Sequence, residues 1–376
     1  MKSLKYVYLF EEAEGTHKEL LGGKGAGLAE MTRMGLPVPP GFIVTTEACL
    51  HFYENKKRLP KGLLEEVEAN LKTVEEKTGK KLGSAQNPLF FSVRSGAATS
   101  MPGMMDTILN LGLNEKTLES LIQITSDGRF AYDAYRRFIQ LFGKIALGLE
   151  EREFDQILNQ TKEKAGAKED TDLDGDHLKD ICKQYLRLIK KRTGTPFPQD
   201  PMVQLRLAIE AVFRSWMGKR AVDYRKEFNI TPDMANGTAV NVCTMVFGNM
   251  GFDSATGVAF TRDPGTGENL LYGEYLVNAQ GEDVVAGIRT PKPIQEMKKE
   301  MPKTYRELER IRKILEEHFH EVQDFEFTVE KGALYILQTR NGKMNAQAIV
   351  RTAKEMVTEK LLTKEQAVLR LSLIHI

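Results

Sequence analysis

The chain has 376 residues, with 53 basic and 52 acidic side chains and a hydrophobic content of 41%. This near-neutral balance argues against a basic nucleic-acid-binding protein and against a membrane protein, and the length predicts two to three domains. The three cysteines, Cys49, Cys182 and Cys243, are odd in number and too far apart for a local metal site. They indicate a reducing compartment, and the N-terminal apolar run is too short for a signal peptide, so we expect a cytoplasmic protein.

The first half of the chain changes from a mixed pattern to a helical one. Residues 1–112 alternate glycine-rich turns with short apolar runs such as Gly41-Phe-Ile-Val-Thr-Thr, which predicts an α/β segment. Over residues 115–191, apolar side chains recur at spacings of three and four, which predicts helices. The clearest run is Phe130, Tyr132, Tyr135, Phe138, Ile139 and Phe142.

The second half repeats the mixed pattern. Residues 204–228 predict a further helix, and apolar runs beginning at Gly237, Thr256 and Leu270 predict strands of a second α/β segment that extends to residue 341. Residues 344–370 return to a charged helical pattern, which is typical of a connector between domains.

A glycine cluster near the N-terminus, Gly22-Gly-Lys-Gly-Ala-Gly-Leu, has the composition of a phosphate-binding turn. Glycine lets backbone amides approach an anion, and Lys24 adds positive charge. The cluster lacks the Ser or Thr of a Walker A loop and the third glycine of a dinucleotide loop, so a plain helix-entry turn is the alternative. Arg94 leaves an apolar strand, a position that predicts an anion partner or, alternatively, an interdomain salt bridge.

Residues 324–340 have the period-two alternation of a β-hairpin with Lys331-Gly332 at its turn. One face of the first strand carries the polar residues Asp324, Glu326 and Thr328. Gln338 and Arg340 share a face of the return strand. Two carboxylates, an amide and a guanidinium in one hairpin are suited to Mg²⁺ and a polyphosphate, and a solvated surface hairpin is the alternative.

Seven motifs resemble, in the same order, the N-terminal nucleotide-binding region of the pyruvate phosphate dikinase family, and they cover nearly the whole chain. They are Gly22-Gly-Lys-Gly-Ala-Gly-Leu-Ala-Glu-Met, Gly35-Leu-Pro-Val-Pro-Pro-Gly-Phe, the block from Val93 to Gly112, Tyr135-Arg-Arg-Phe, Gly257-Val-Ala-Phe-Thr-Arg-Asp-Pro, Asn278-Ala-Gln-Gly-Glu-Asp and Gln338-Thr-Arg-Asn-Gly. The Met-Pro-Gly-Met-Met run inside the long block distinguishes this family from the related phosphoenolpyruvate synthases and glucan dikinases, which carry different residues there.

The resemblance implies an α/β (α+β) protein with the ATP-grasp fold, in which two α/β lobes carry a helical inserted subdomain. The implied division is a first lobe at 1–112, a helical insert at 113–197, a second lobe with the metal-binding hairpin at 198–343, the start of a linker at 344–370 and a non-native tail at 371–376. The tail, Leu371-Ser-Leu-Ile-His-Ile, has the sequence that a read-through sequencing adapter would encode, so we expect a truncated reading frame.

The resemblance also implies roles for individual residues. The catalytic phosphate clamps would be Lys24, Arg94, Arg137 and Arg340. Further contacts with the nucleotide would come from Gly103, Met105, Thr256, Gly257, Glu282 and Gln338, with the loop around Gly103 and Met105 acting as a lid. The Mg²⁺ ligands would be Asp324, Glu326 and Gln338. Clustered cations and a metal ion suit phosphoryl transfer, which depends on charge stabilisation more than on a proton shuttle.

In this family the pyrophosphoryl group of ATP moves to a histidine on a swivelling domain, phosphate removes one phosphoryl group, and the other converts pyruvate into phosphoenolpyruvate. The six histidines of this chain lack the expected Thr-Ser-His-Ala context, so we expect the histidine domain and the pyruvate-binding barrel to lie elsewhere in a full-length homodimer. This part alone would bind MgATP without completing the reaction. A phosphoenolpyruvate synthase-type dikinase and a stand-alone nucleotide-binding module remain the alternatives.

Overall fold

The computed structural model describes residues 4–101, 103–285 and 289–373, without the side chains of Glu282, Val285, Ser372 and Leu373. The described chain forms two compact units. The first comprises the residues up to Arg33 together with Pro39–Met245, and the second comprises Met34–Val38 together with the residues from Val246 onward. No helix in these described ranges is both long enough and apolar enough to cross a membrane.

The first unit is built on a mixed arrangement of strands and helices. Its described strands are β1 (Val7–Leu9), β2 (Gly41–Val44), β3 (Lys81–Leu82), β4 (Pro88–Leu89), β5 (Phe91–Gly96), β6 (Thr107–Leu111) and β7 (Ala239–Thr244). Five of them form an antiparallel sheet in the order β1-β2-β7-β5-β6, and β3 pairs with β4 in parallel. Its described helices are α1 (Lys18–Arg33), α2 (Thr46–Glu54), α3 (Leu63–Thr78), α4 (Glu115–Thr125), α5 (Gly128–Ile145), α6 (Glu151–Ala165), α7 (Gly175–Thr193), α8 (Pro201–Ser215) and α9 (Lys219–Glu227).

Helices α4 to α7 confirm the helical pattern read from residues 115–191. The Asp127 side chain accepts a hydrogen bond from the Phe130 amide at the start of α5, and Asp174 caps α7 through the His177 amide. The apolar spacing in α5 buries Phe130, Tyr135, Phe138, Ile139 and Phe142 and leaves Tyr132 half-buried.

The second unit carries one antiparallel sheet in the order β10-β9-β8-β11-β12. Its described strands are β8 (Ala255–Phe260), β9 (Tyr272–Val277), β10 (Lys292–Pro293), β11 (Gln323–Glu330) and β12 (Ala333–Asn341). Its described helices are α10 (Gly281–Val285), α11 (Met297–Glu300), α12 (Pro302–Phe319), α13 (Ala346–Thr358) and α14 (Lys364–Leu373). Phe325, Phe327 and Val329 of β11 are fully buried, as the period-two alternation predicts.

The structure divides the chain at other points than the boundaries inferred from sequence. Strand β7 pairs with β2 and β5, so the residues from 198 to 245 belong to the first unit together with α4–α7. Helices α13 and α14 belong to the second unit, where Ala353, Met356 and Leu362 pack on Val322. The five-part division stays a prediction, and residues 374–376 of the predicted tail lie outside the described residues.

The segment Met34–Val38 is an excursion of the chain into the second unit. There the Ile336 amide of β12 donates a hydrogen bond to the Pro37 carbonyl at 2.9 Å. The chain then returns to the first unit at Pro39.

Candidate functional site

The glycine cluster opens the main part of α1. Gly22 has a φ of 68° and a ψ of 161°, which interrupts the helix. A Cβ atom on Gly22 would lie 1.9 Å from the Gly96 carbonyl oxygen, and the Gly23 amide donates to the Ala97 carbonyl at 2.8 Å. Only glycine fits this position. The cluster is therefore a helix-entry turn in local structure, and it brings the start of a helix against the end of β5.

Lys24 and Arg94 lie on the same face of the first sheet. Gly96 follows Arg94 by two residues, so the two residues share a face of β5. A Cβ atom on Gly96 would lie 3.4 Å from the Lys24 Cβ, which places Lys24 over that face. Both cations are half-buried. Two predicted phosphate clamps, one on a helix and one on a strand, are thus brought together.

The loop between β5 and β6 contains the predicted lid residues. Gly103 is exposed with a φ of 70°, and no atom lies within 4 Å of where its Cβ would be. Met105 is half-buried. The loop is held at its base, where Asp106 pairs with Arg220 at 3.1 Å and its carbonyl accepts from the Ser95 amide at 3.4 Å. Pro102 lies outside the described residues.

Arg137 lies on α5 and shares one carboxylate with its neighbour. Its Nε donates to Asp133 Oδ2 at 3.0 Å, while Arg136 donates to Asp133 Oδ1 through Nε and Nη2 at 3.0 and 2.7 Å. Burial alone would raise the pKa of Asp133, but Arg136 and Arg137 outweigh it and hold the pKa well below its ordinary value. The carboxylate therefore stays ionised and fixes the plane of both guanidinium groups.

In the second unit, β11 and β12 form the predicted hairpin, with Lys331 and Gly332 at the turn. The strand register places Asp324 opposite Arg340 and Glu326 opposite Gln338. The register shifts between Glu326 and Phe327, which leaves Leu337 as the additional residue of a β-bulge on β12. In a regular ladder from this turn, Leu337 would stand opposite Glu326. The bulge instead places Gln338 and Arg340 on the face of the carboxylates.

The two cross-strand pairs on this face, Asp324 with Arg340 and Glu326 with Gln338, differ in their contacts. Arg340 contacts Asp324 Oδ2 through Nε at 2.7 Å and through Nη2 at 2.6 Å. The Arg340 side chain is 53% exposed, whereas that of Asp324 is 11% exposed. Glu326 is half-buried beside Gln338. The face therefore offers an anchored guanidinium together with carboxylate and amide oxygens.

Thr256 and Gly257 lie on opposite faces of β8. Thr256 stands opposite Thr328, with their hydroxyl oxygens 3.3 Å apart, on the face of Asp324 and Glu326. A Cβ atom on Gly257 would lie 2.6 Å from the Phe327 ring, on the apolar face. Helix α10 begins at Gly281 near Thr256, and the side chain of the predicted contact Glu282 lies outside the described residues.

The oxygen donors of the hairpin fit the chemistry of Mg²⁺. Among the described residues, no group of three or more His, Cys, Asp and Glu side chains could hold a metal ion. Mg²⁺ does not need such a cage, because it commonly combines one or two carboxylates with phosphate oxygens and water. Glu326, Gln338 and Asp324 suit that arrangement, although Asp324 is also paired with Arg340.

Sequence reasoning missed two side chains beside these predicted residues. Asp133 holds Arg137, and Asn241 of β7 stands opposite Arg94 with its side chain fully buried. A signal existed for Asn241, because it is a single amide in the apolar run Ala239-Val-Asn-Val-Cys. Asp133 lay within the helical pattern without a comparable signal.

The predicted site residues fall into two sets. The first unit holds Lys24, Arg94, Gly103, Met105 and Arg137. The second unit holds Thr256, Gly257, Glu282, Asp324, Glu326, Gln338 and Arg340. Cations prevail in the first set, and oxygen donors prevail in the second. With its mixed helices and sheets, the chain has the ATP-grasp-like fold of a class of nucleotide-binding domains, as the resemblance implied.

A family model described as "Pyruvate phosphate dikinase, AMP/ATP-binding domain" matches residues 18–64, 56–304 and 294–361. The chain belongs to this family. It is 60% identical over 371 residues to a pyruvate, phosphate dikinase of Entamoeba histolytica and 50% identical over 368 residues to that of Clostridium symbiosum. In both matches the alignment covers 98% of this chain and 42% of the relative. It is also 52% identical over 357 residues to pyruvate, phosphate dikinase 2 of Zea mays, covering 95% of this chain and 40% of that protein. The chain thus spans about two fifths of the length of the curated relatives it matches.

Proposed function

We propose that this chain binds MgATP and presents its β- and γ-phosphates for transfer, as the nucleotide-binding part of a pyruvate phosphate dikinase. The observation that carries the proposal is the hairpin face, where the bulge at Leu337 aligns Gln338 and Arg340 with Glu326 and Asp324. Oxygen donors and a fixed guanidinium side by side suit a metal-bound phosphate chain.

In this proposal the first unit supplies cations to the phosphates. Lys24, Arg94 and Arg137 bind phosphate oxygens, and the amides at the start of α1 add partial positive charge. Asp133 keeps the Arg137 guanidinium in one orientation through the 3.0 Å contact to Nε. The loop with Gly103 and Met105 closes over the nucleotide and limits access of water.

The second unit supplies the ligands for the metal ion. Glu326, Gln338 and Asp324 hold Mg²⁺, and Arg340 binds a phosphate oxygen while keeping its contact with Asp324. Bound Mg²⁺ neutralises charge on the phosphate oxygens and so stabilises the charge that develops during transfer. Thr256, Gly257 and Glu282 complete the nucleotide contacts.

For the whole protein we propose the reaction that its relatives' name describes. A histidine on a separate swivelling domain attacks the β-phosphorus of ATP and releases AMP. Inorganic phosphate then accepts the terminal phosphoryl group as diphosphate, and pyruvate, bound in a barrel domain, accepts the remaining one to give phosphoenolpyruvate. We further propose a homodimer in the cytoplasm, the location being supported by three cysteines that are buried as free thiols.

Calorimetric titration of the 376-residue chain tests the nucleotide-binding proposal. We expect ATP to bind with measurable heat, to bind more tightly with Mg²⁺ than with EDTA, and to bind more tightly than AMP because AMP lacks the phosphates that the cations hold. A well-folded chain that gives no heat and no thermal shift with MgATP would overturn the proposal.

A further inference from the structure

Asn241 lies at the centre of the contact between the glycine-rich start of α1 and strand β5. Its side chain is fully buried, and Nδ2 donates to the Arg94 carbonyl at 3.4 Å. The strand register places Asn241 directly opposite Arg94 and next to Ile43 of β2. The carboxamide thus projects onto the face that carries Lys24 and Arg94 and is covered by α1.

Two glycines lie close to this carboxamide, Gly25 on α1 and Gly96 on β5. A Cβ atom on Gly25 of α1 would lie 2.8 Å from Asn241 Oδ1, and a Cβ atom on Gly96 of β5 would lie 2.8 Å from Nδ2. Both distances are shorter than a carbon atom can approach these polar atoms without displacement. Neither glycine has a positive φ, so the obstacle to a larger residue is steric, and Asn241 is the nearest contact at both positions, followed by Ile43 at 3.1 Å for Gly25.

The carboxamide is also incompletely satisfied. Asn241 Oδ1 has no hydrogen-bond partner among the described residues, although it is inaccessible to solvent. A buried amide oxygen without a partner destabilises a fold by about 1–3 kcal/mol. A purely structural position of this size would be filled at less cost by a leucine or a valine, as at the neighbouring Val240 and Val242. The missing partner alone does not identify a function, because Asn110 Oδ1 is also buried without a partner; the contacts of the Asn241 carboxamide with Gly25 and Gly96 carry the inference.

We propose that Asn241 is a positioning residue, which sets the spacing between the start of α1, with Lys24, and the end of β5, with Arg94. The proposal rests on the proposed function, because this spacing matters only if the two cations bind one phosphate chain. The carboxamide acts as a spacer that keeps α1 from packing closer to β5. Its hydrogen bond to the Arg94 carbonyl fixes the backbone from which the Arg94 guanidinium extends.

The first test compares ATP with AMP in Asn241→Ala. Loss of the spacer displaces the cations that hold the terminal phosphates, so we expect affinity for MgATP to fall about tenfold, while affinity for AMP changes less than about twofold. Asn110→Ala is the matched control, because Asn110 is also fully buried in the first unit with an unpartnered Oδ1. It should lower the free energy of unfolding without changing the ratio of the two affinities.

The second test uses compensation between neighbours. Gly25→Ala and Gly96→Ala should each weaken MgATP binding in the native background, because the added methyl group meets the carboxamide. In the Asn241→Ala background the same methyl groups enter the vacated space, so each double variant should bind MgATP better than its parent glycine variant. Gly22→Ala is the control that should not be rescued, because its methyl group meets the Gly96 carbonyl and its φ is 68°.

The outcomes separate this inference from the function on which it rests. If the native chain does not bind MgATP, the proposed function fails. If the native chain binds MgATP and Asn241→Ala weakens ATP and AMP equally, or affects neither, the positioning role of Asn241 is refuted. Strictly additive effects on MgATP affinity when Asn241→Ala is combined with Gly25→Ala and with Gly96→Ala would refute it as well.

Discussion

A buried carboxylate organises the charges of the helical region in the first unit, whereas a buried guanidinium organises those of the second. Asp133 is 5% exposed and receives Arg136 and Arg137, with Lys162 and Asp170 beside them. Arg262 is fully buried and donates to Glu316, Glu355 and Glu359. Cations outnumber carboxylates in the first cluster, and carboxylates outnumber cations in the second.

The same difference in sign extends to the candidate site. The first unit contributes the predicted phosphate clamps, and the second contributes the predicted metal ligands. The two clusters do not differ in accessibility, because each has members that reach solvent: the Arg137 side chain is 15% exposed, and those of Glu355 and Glu359 are 31% and 35% exposed. We infer that the sign of the excess charge, and not exposure, distinguishes the two clusters, and that only the positive one suits a phosphate.

Arg262→Met removes the cation at the centre of the second cluster and should have the largest effect on the free energy of unfolding. It leaves three carboxylates without their shared cation, one of them on the buried Glu316, so the free energy of unfolding should fall by about 3–5 kcal/mol. Arg351→Met is the control, because Arg351 pairs with Glu355 at 45% exposure and should contribute less than about 1 kcal/mol. Denaturant unfolding measures both. Equal losses of unfolding free energy in the two variants would show that Arg262 does not hold the three carboxylates together.

Asp133→Asn should lower the free energy of unfolding by about 2–3 kcal/mol, somewhat less than Arg262→Met, because the Arg137 side chain is 15% exposed and remains partly hydrated. The lowered pKa of Asp133 gives the sign of the pH dependence. Its stabilising contribution is present above the unfolded pKa of about 4 and is lost as the pH falls through the lower folded pKa. The difference between native and variant chains should therefore be constant from about pH 7 to pH 5 and should shrink below about pH 4. A difference that instead grew on acidification would contradict the assignment.

Arg94→Met should weaken MgATP binding about 10- to 100-fold, or about 1.4–2.8 kcal/mol, because a charge-assisted phosphate contact is lost. Unfolding should be nearly unchanged, since the half-buried side chain leaves the sheet intact. Arg206→Met is the matched control, because the Arg206 side chain is 40% exposed and pairs with Glu210 in the same unit. Calorimetry with both variants tests whether positive charge in the first unit is directed at the nucleotide.

Glu326→Gln should have the smallest effect and the most specific one. The amide keeps the shape of the side chain but removes a negative ligand, so affinity for MgATP should fall about tenfold while affinity for ATP in EDTA stays the same. Glu317→Gln on the exposed side of α12 should change neither value. An equal loss with and without Mg²⁺ would remove Glu326 from the metal site.

The hairpin could be predicted from the sequence because its signal is local. The same signal did not specify the register of the return strand. Alternation from Asp324 to Val329 gave the two faces of β11, and Lys331-Gly332 gave the turn. The alignment of Gln338 with Glu326 depends on the bulge at Leu337, which no alternation pattern specifies. Continued regularly, the pattern would have put the amide and Arg340 on the apolar face.

The pairing of strands that are far apart in sequence could not be predicted from the local sequence pattern. Nothing local indicates that β7 lies between β2 and β5, so the boundary of the first unit and the role of Asn241 could not be read from residues 239–244. Arg262 sits in a predicted motif, yet its partners lie 54 to 97 residues away. The family resemblance supplied the site residues where spacing alone left alternatives open.

The brief excursion of Met34–Val38 means that neither unit is one continuous stretch of chain. A gene fragment beginning at Val246 would leave the Ile336 amide without the Pro37 carbonyl that accepts its hydrogen bond, and a fragment ending at Met245 would carry that carbonyl without its donor. Isolating the second unit therefore calls for a fusion that joins the 34–38 segment to the piece beginning at Val246, or for that segment supplied as a short peptide in trans, and a single proteolytic cut could not release either half in complete form.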